Sequence, residues 1–575
     1  MKSRDRAAKK FKDIPYQRIL FDDVAQQFEK ALQEFQSATT VDHQHVAISK
    51  IDDLRRQFQN AMVLAHIRHT TRTEDTLYSA EHQYYDQMHP HFEHLEIQFY
   101  QALLTAPNQQ ALIDHWGQQI FRIARAKVRT LNPISIPYRQ QENQLVTEYI
   151  RAKASAKIFF QGKTYNLSSL RAMEEHPNRT IRQKAAQTKW NYYEQQGEKF
   201  DDLFSELVAC RHQQAITLGY QRYTDLAYDQ LQRTDYGPQE VAQLRSAILK
   251  YVVPLVEDLY RAQQDRLGLE HLEHYDWEVL FPTGNPTPLG GAEWILQKAG
   301  RMYQELSPET DFFFTMLQER ELMDVMNRSG KATGGYCAFL AKDRLPFIFS
   351  NFNGTSSDLY VLTHEAGHAF QFFNSLDQPL LDYVCPTLES CEIHAMSMEY
   401  FTCPWVEQFF GEDATKYRYA HLANALRFLP YGAAVDEFQH QVYDHPHWTV
   451  QQRHDAWLSI SAQYLPFLSS REFPPFLKKG GYWQRQSHIY TTPFYYIDYV
   501  LAQLCALQFW RRDLEDHDSA WSDYLTLCRA GGSASFLELV DLAGLKSPFQ
   551  PEVIQEISQF SAVHLREVLG TTVDA

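Results

Sequence analysis

A chain of 575 residues is too long for a single compact core, so we expect two or three lobes. Its 44% apolar and 22% charged residues are an ordinary balance for a globular protein, and no apolar run approaches the about 18 residues of a membrane-spanning helix. The net charge of −16 argues against nucleic acid as the main partner. We therefore expect neither nucleic acid nor a membrane as a partner.

The cysteines bear on the compartment in which the chain works. There are seven of them, scattered along the sequence, and no C-x-x-C pair occurs. This pattern predicts neither a disulfide framework nor a cysteine-ligated zinc site. The basic N-terminus has no apolar segment behind it that would indicate a secretory signal. We therefore predict a cytoplasmic protein.

Helical periodicity dominates the pattern of apolar residues. Over residues 21–127 they recur at spacings of three and four among Gln, Glu and His. The same spacing continues over residues 170–227, with a break at 219–220. We therefore predict a mainly α-helical fold, with an N-terminal helical region over residues 1–170 and a second helical domain over 171–575.

The clearest strand signal lies between residues 330 and 352. Two runs rich in aromatic and β-branched residues, 334–340 and 346–352, flank a polar turn at 341–344. This arrangement predicts a β-hairpin. The residues Ser356–Asp358 then offer N-cap candidates for a helix that follows directly.

The segment from His364 to His368, His-Glu-Ala-Gly-His, carries the strongest chemical signal. Two imidazoles at i and i+4 lie on one face of a helix, one turn apart, which suits two ligands of a single zinc ion. The carboxylate of Glu365 points about 100° round the helix, where it can act on a water rather than join the ligands. Uncharged residues flank the motif, so the helix is predicted to be buried. A buried Glu between two buried His needs a partner such as a metal.

A catalytic zinc site needs a third protein ligand, and two neutral imidazoles leave a doubly charged ion that favours a carboxylate. The next helix, predicted to begin near Pro386, offers Glu389, Glu392 and Glu399. Glu392 and Glu399 are two turns apart on one face, so one could bind zinc while the other supports the ligands. Spacing alone does not separate Glu389 from Glu392. Residue 374 is an asparagine, which excludes the short form with a third histidine, H-E-x-x-H-x-x-G-x-x-H.

The sequence HEAGHAFQ at 364–371, the E-x6-E spacing at 392–399 and the segment 488–499 together resemble one family. This family is the thimet oligopeptidase family of zinc metallopeptidases, and the match is to its oligoendopeptidase F branch. The segment 219–225 and the Gly-Gly-Tyr-Cys strand fit it as well. The resemblance runs from about residue 170 to about residue 545.

The resemblance implies an almost wholly helical, two-lobed, zincin-like peptidase. A deep channel would have one zinc ion on its floor and would admit only unfolded peptides of limited length. The E-x6-E spacing assigns Glu392 as the third zinc ligand and Glu399 as the side chain that supports the ligands. The N-terminal region would pack over the channel, and residues 171–575 would form the catalytic domain.

The segment 488–499 is rich in hydrogen-bond donors for the oxyanion that forms during amide hydrolysis. On one helix, Tyr496 and Tyr499 stand at i, i+3, while Tyr495 and Tyr499 stand at i, i+4. Spacing therefore does not choose among the tyrosines. Similarity to the family favours His488, Tyr496 and Tyr499 as donors to substrate and transition state.

The leading hypothesis is a zinc-dependent endopeptidase for short peptides, with Glu365 as general base. The hairpin would bind substrate by edge pairing, through Gly334, Gly335 and Tyr336. A zinc carboxypeptidase or dipeptidyl carboxypeptidase on a similar scaffold would need a cationic clamp for the terminal carboxylate of its substrate. A non-catalytic peptide-binding protein is the hypothesis from another class, although binding alone does not need the general base.

Overall fold

The computed structural model describes residues 10–568, and most of this part of the chain is α-helical. The predicted mainly α-helical fold is confirmed. The start of the basic N-terminal segment and the last residues of the predicted second domain lie outside the described residues.

The α-helices of residues 10–568 are, in chain order, α1 (Phe21–Ser37), α2 (Val41–Thr71), α3 (Thr76–Leu104), α4 (Gln109–Trp116), α5 (Gln119–Thr130), α6 (Ile136–Ala154), α7 (Leu167–Glu174), α8 (Arg179–Thr217), α9 (Tyr223–Gln230), α10 (Pro238–Tyr251), α11 (Val253–Arg266), α12 (Ala292–Leu306), α13 (Pro308–Glu319), α14 (Ser357–Asn374), α15 (Leu388–Phe401), α16 (Glu407–Phe410), α17 (Ala414–Asp444), α18 (Val450–Tyr464), α19 (Pro475–Lys478), α20 (Ser487–Thr491), α21 (Tyr496–Glu515), α22 (His517–Ala530), α23 (Phe536–Leu542) and α24 (Pro551–Val568).

The strands of this part of the chain form two small sheets. The first is a hairpin of β1 (Ile158–Phe160) and β2 (Lys163–Tyr165), which the sequence pattern did not reveal. The second has the order β3-β5-β4, with β3 (Met323–Met326) parallel and β4 (Tyr336–Leu340) antiparallel to β5 (Leu345–Phe352). The predicted hairpin is therefore confirmed as β4 and β5, while β3 was not anticipated. β4 is an edge strand, because its only strand partner among residues 10–568 is β5.

The chain divides into two compact units, each built from three separate stretches of sequence. The first unit comprises Met1–Asn132, Pro288–Phe409 and Arg512–Leu545, and the second comprises Pro133–Thr287, Phe410–Arg511 and Lys546–Ala575. The units therefore alternate along the chain. The predicted boundary at residue 170, which separates two consecutive regions, stays a prediction.

In the first unit, the helices α1 to α5 bury the apolar stripe that the periodicity predicts. Phe28 and Phe35 of α1 are almost fully buried, as are Phe92 and Phe99 of α3. Their rings meet at steep angles, with centroids 5.8 Å apart for Phe28 and Phe92 and 6.1 Å apart for Phe35 and Phe99. Each such side chain contributes about 1.5–3 kcal/mol on burial, so these contacts hold α1 and α3 together.

In the second unit, the longest element is α8, whose buried face carries Trp190, Phe204 and Leu207. The helix ends at Thr217, and Gly219 then adopts a φ of 85°, a conformation that favours glycine. The predicted break in the helical pattern is confirmed here.

The segment that leads into α15 is anchored in the first unit by a buried carboxylate. Asp382 accepts hydrogen bonds from Arg55 of α2 at 2.5 Å and from Tyr100 of α3 at 2.7 Å. Burial alone would raise the pKa of Asp382, but the guanidinium of Arg55 holds it below its usual range. This ion pair ties the start of α15 to the N-terminal helices.

Ser356, one of the three N-cap candidates, is the N-cap residue of α14. The helix begins at Ser357, but the side chain of Ser356 makes no capping hydrogen bond. Instead, the carboxylate of Asp358 accepts the backbone N–H groups of Asn353 and Gly354, both at 2.8 Å. The first turn of α14 therefore binds the residues just after β5, and this contact holds α14 against the sheet.

Two further features of the described residues are the state of the cysteines and the length and polarity of the helices. All seven cysteines lie within the described residues, and none forms a disulfide. Within residues 10–568, every helix is too short or too polar to cross a membrane.

Candidate active site

The helix α14 carries the His-Glu-Ala-Gly-His motif in the first unit. The rings of His364 and His368 lie one turn apart, with centroids separated by 5.0 Å. Leu362, Ala366 and Phe370 are fully buried on the rest of this helix. The two imidazoles therefore share one face of a buried helix, as the spacing predicts.

The neighbouring helix α15 brings a carboxylate between the two imidazoles. Glu392 Oε2 lies 3.2 Å from His364 Nε2 and 3.6 Å from His368 Nε2. These three side chains offer ligand atoms that all lie within 4.8 Å of one another. Glu389 is buried one turn earlier on the same helix and does not belong to this group. Two imidazole nitrogens and one carboxylate oxygen are a donor set that fits zinc.

Glu399 contacts the far side of one of these imidazoles. Its Oε1 lies 2.7 Å from His364 Nδ1. A carboxylate at this position accepts the Nδ1–H of His364, which leaves Nε2, the nitrogen that faces Glu392, as the atom that can bind a cation. The predicted supporting role of Glu399 agrees with this geometry and stays a prediction.

The close approach of α14 and α15 depends on Gly367. A methyl group at this position would lie 2.6 Å from the Cα atom of Ala395 and 2.6 Å from the carbonyl oxygen of His394. The same carbonyl accepts a hydrogen bond of 2.9 Å from the hydroxyl of Tyr524 on α22. Only a residue without a side chain lets the two helix backbones touch where Glu392 meets the histidines. The sequence reasoning missed this role, although an isolated glycine inside a buried helical pattern is its signal.

The carboxylate of Glu365 is buried beside the start of β4. A methyl group at Gly335 would lie 3.7 Å from Glu365 Oε1, so this glycine leaves space directly next to the carboxylate. Burial raises the pKa of Glu365, while the imidazoles of His364 and His368 oppose that shift. Glu365 therefore stands between the histidines and the edge strand.

The charges of the ligand group depend strongly on one another. Burial alone would raise the pKa of Glu392, but the imidazoles of His368 and His364 hold it well below its usual range. Burial alone would lower the pKa of His364, yet the carboxylates of Glu392 and Glu399 raise it well above its usual value. The two buried carboxylates are thus balanced by positive charge on the imidazoles, and a divalent cation at this group could supply that charge instead.

The edge strand β4 begins with the predicted substrate residues. Gly334 has a φ of 95° and precedes the strand, and Tyr336 is its first residue. The ring of Tyr336 stacks on Phe349, and its hydroxyl lies 2.6 Å from Oγ1 of Thr70. These contacts hold the start of β4 rigidly on β5 and α2.

The remaining predicted residues form a cluster of their own in the second unit. The ring of His488 lies 5.0 Å from that of Tyr496 and 5.7 Å from that of Tyr499, measured between centroids. Tyr495 joins the same cluster, with its centroid 5.8 Å from His488 and 4.9 Å from Tyr499. The structure therefore brings His488 and all three tyrosines together. Their part in catalysis stays a prediction.

An HExxH helix that packs against a glutamate-bearing helix and against a small sheet defines a zincin-like metallopeptidase. The chain belongs to peptidase family M3. Residues 11–131 match the Peptidase M3 N-terminal domain, and residues 172–281 and 310–559 match Peptidase family M3.

Solved structures and curated relatives agree with this family. The chain is similar to a structure assigned as oligoendopeptidase F, with 45% identity, a TM-score of 0.94 and 99% of both chains covered. It is equally similar to PZ peptidase A solved with an inhibitor, with 45% identity, a TM-score of 0.94 and 98% of this chain and 100% of that one covered. Among curated relatives, it is 23% identical over 389 residues to the group B oligopeptidase PepB of Streptococcus agalactiae serotype III (strain NEM316). That match spans 65% of this chain and 61% of the relative. The resemblance to the oligoendopeptidase F branch is confirmed.

Proposed function

We propose that this chain is a zinc-dependent endopeptidase that hydrolyses short, unstructured peptides in a closed channel. The observation that carries the proposal is the position of Glu365, next to both the group formed by His364, His368 and Glu392 and the edge of β4. Membership of family M3 supports it, as do the relatives named as oligopeptidases. The seven cysteines, scattered along the sequence without a C-x-x-C pair, support a cytoplasmic location.

One zinc ion per chain would be held by the Nε2 atoms of His364 and His368 and by Glu392. A bound Zn²⁺ would supply Lewis-acid chemistry for the scissile carbonyl and the attacking water. Glu399 keeps the proton of His364 on Nδ1 and so keeps Nε2 available as a ligand. Glu392 would bind the metal and Glu399 would support His364, so the two glutamates, two turns apart, have separate roles.

Glu365 is the proposed proton carrier. Its carboxylate takes the proton of the attacking water as the new C–O bond forms, and it delivers that proton to the leaving amine as the C–N bond breaks. The space beside Gly335 lets a peptide backbone approach the carboxylate closely. A side chain at residue 335 would occupy this space.

The edge of β4 is the proposed binding site for the substrate backbone. The N–H of Ile348 donates to Leu322 on the β3 side of β5, at 2.9 Å. Because strand residues alternate in direction, Ala338, opposite Phe347, directs its backbone groups towards β5. Cys337 and Phe339 therefore direct theirs to the open edge, where an extended peptide can pair with them. A peptide complex without backbone hydrogen bonds to residues 334–340 would remove this part of the proposal.

His488, Tyr496 and Tyr499 are the proposed donors to the oxyanion of the tetrahedral intermediate. Their clustering in the second unit supports a common function. A hydroxyl or an imidazole N–H stabilises the oxyanion more than the ground-state carbonyl, and this difference lowers the barrier.

The test is the substitution Glu365→Gln, which keeps the shape of the side chain and removes the base. We expect full zinc occupancy and near-normal peptide affinity, with kcat lower by about 10²–10⁴, the usual contribution of general acid–base catalysis. Metal analysis, binding of an uncleavable peptide and steady-state kinetics measure the three quantities. The matched control is Glu389→Gln, a buried glutamate of α15 outside the ligand group, which should keep the parent kcat. Parent-rate cleavage by Glu365→Gln with zinc bound would mean that the base lies elsewhere.

Endopeptidase and carboxypeptidase activity are distinguished by the products. Mass spectrometry of a mixed peptide library with blocked and free C-termini should show internal cleavage that is independent of the terminal carboxylate. Products that end only at a fixed distance from a free C-terminus would favour the exopeptidase hypothesis.

A further inference from the structure

The Nδ1 atom of the His488 imidazole has a defined partner. Nε2 of Gln486 lies 2.6 Å from Nδ1 of His488. Gln486 is buried in the second unit, between the short 3-10 helix Gly481–Arg485 and α20. Because the amide is buried, its orientation decides which nitrogen of His488 carries the proton.

Two hydrogen bonds in series, both donated in the direction of Gln486, set the orientation of this amide. Nε of Arg485 donates to the hydroxyl of Tyr431 at 3.5 Å, and that hydroxyl donates to Oε1 of Gln486 at 3.1 Å. A guanidinium can only donate, so the Tyr431 oxygen accepts the Nε–H of Arg485, and the Tyr431 hydroxyl keeps its own hydrogen to donate to Gln486. The carbonyl oxygen of the amide faces Tyr431, and its NH₂ group faces His488.

The backbone on both sides of Gln486 is held by a single lysine. Nζ of Lys153 on α6 donates to the carbonyl oxygen of Arg485 and to Oγ of Ser487, both at 2.8 Å. Arg485 also lies over the rings of Tyr431 and Tyr482, with its central carbon 5.2 Å and 4.5 Å from their centroids. The lysine contacts hold the backbone around Gln486, and the ring contacts hold the guanidinium of Arg485 beside Tyr431, while the orientation of the amide depends on Tyr431.

The consequence for His488 follows from the chemistry of the amide. An amide NH₂ group can only donate, so Nδ1 of His488 must accept and cannot carry a proton. In the neutral ring the proton is then on Nε2. That nitrogen is a hydrogen-bond donor, which is the state an oxyanion requires.

We propose that Gln486 is a positioning residue that fixes His488 as the Nε2–H tautomer, with Tyr431 and Arg485 orienting the amide. The use of that N–H in catalysis rests on the proposed function, whereas the tautomer itself does not. Arg485 is always charged, so the chain runs from a permanent cation to the imidazole and polarises each link in the same direction.

The direct test is nitrogen NMR of the full-length protein with labelled histidine. The signals of His488 are assigned by their loss in His488→Gln. We expect a protonated Nε2 and an unprotonated Nδ1 in the parent. In Gln486→Glu, a carboxylate replaces the NH₂ group, so we expect the proton to move to Nδ1. The control Ser487→Ala loosens the same segment without changing the amide, and His488 should keep its proton on Nε2.

The same variants give a kinetic readout. At alkaline pH, Gln486→Glu should lower kcat by about 10²–10³ with little change in KM, as expected for the loss of one oxyanion donor. At lower pH the ring of this variant takes a second proton and regains Nε2–H, so part of kcat should return. Ser487→Ala should keep the parent kcat and pH profile.

The outcomes separate the inference from the proposed function. A parent ring with its proton on Nδ1, or a ring unchanged by Gln486→Glu, would overturn the role of Gln486. If the proton moves as expected and kcat stays at the parent value, Gln486 does set the tautomer, and the donor role of His488 in the proposed function is wrong.

Discussion

Two histidines, one in each unit, both have a polar side chain in contact with Nδ1, but the chemistry of that side chain differs. Nδ1 of His364 lies 2.7 Å from the carboxylate of Glu399, and Nδ1 of His488 lies 2.6 Å from the amide of Gln486. The carboxylate accepts a proton, which leaves the Nε2 lone pair of His364 free to hold a cation. The amide donates a proton, which leaves an N–H on Nε2 of His488. The difference between a glutamate and a glutamine would therefore separate the proposed metal ligand from the proposed hydrogen-bond donor.

The two regions also differ in how their side chains come together. In the first unit, one helical turn places His364 and His368, and a glycine lets a second helix supply Glu392 between them. In the second unit, His488 lies on the short helix α20 and meets tyrosines at the start of α21. The first arrangement depends on helical periodicity and one close contact, and the second depends on the path of the chain between elements.

The largest effect is expected for Glu392, which completes the group formed with His364 and His368 in the first unit. Glu392→Ala should abolish zinc retention after dialysis and reduce peptide cleavage to background, because a site with two imidazoles lacks its charged ligand. Metal analysis of the dialysed protein is the measurement. Glu389→Ala, three residues away, should retain zinc. The reverse pattern would mean that the wrong carboxylate was chosen.

The cluster around His488 in the second unit can be tested at Tyr499. Tyr499→Phe should lower kcat by about 10²–10³ with little change in KM, since it removes one donor to the oxyanion. Steady-state kinetics with a fluorogenic peptide measure both constants. Combined with Glu365→Gln, the effect should be far from additive if both residues act on the same intermediate. Additive losses would show that the two regions act on separate steps.

The comparison between His364 and His488 is tested by the substitution Glu399→Gln, which replaces the carboxylate beside His364 with an amide. Glu399→Gln would turn a donor towards Nδ1, so the Nε2 lone pair would no longer be favoured. We expect zinc affinity to fall by about 10–100-fold, the usual effect of losing such a supporting contact. A competition titration with a zinc chelator provides the measurement. Unchanged affinity would mean that the partner of Nδ1 does not control the ligand state of His364.

The smallest expected effect concerns the helix contact at Gly367. Gly367→Ala should destabilise the protein by about 1–3 kcal/mol, because the added methyl group meets the backbone of α15 and forces the helices apart. Thermal unfolding measures the loss, and zinc affinity should fall with it. Gly291→Ala is the control in the same unit, since a methyl group there meets nothing within 4 Å. Equal melting temperatures for both variants would contradict the packing argument.

Much of the fold could be predicted from local patterns. The spacing of Phe28, Phe35, Phe92 and Phe99 indicated a buried helical face, and the structure buries all four. The hairpin of β4 and β5 was visible from its residue types and its turn. The strand β3 was not visible, because four residues that pair with a strand more than twenty residues later leave no local signal. Of the three N-cap candidates, Ser356 stands at the N-cap of α14 without a capping hydrogen bond, and Asp358 instead accepts the backbone N–H of Asn353.

The sequence by itself determined how His364, Glu365 and His368 are arranged in the first unit. Two histidines and a glutamate on consecutive turns of one helix have a geometry that backbone hydrogen bonds alone impose, so no tertiary contact is needed to foresee it. Spacing left Glu389 and Glu392 open and the family resemblance chose Glu392, whereas the tertiary structure shows that Glu392 contacts both imidazoles and that Gly367 permits this contact. The tertiary structure also decided the tautomer of His488, because the amide of Gln486 is oriented by Tyr431, 55 residues earlier in the chain. Such contacts depend on how distant segments pack, and single-sequence spacing does not carry that information.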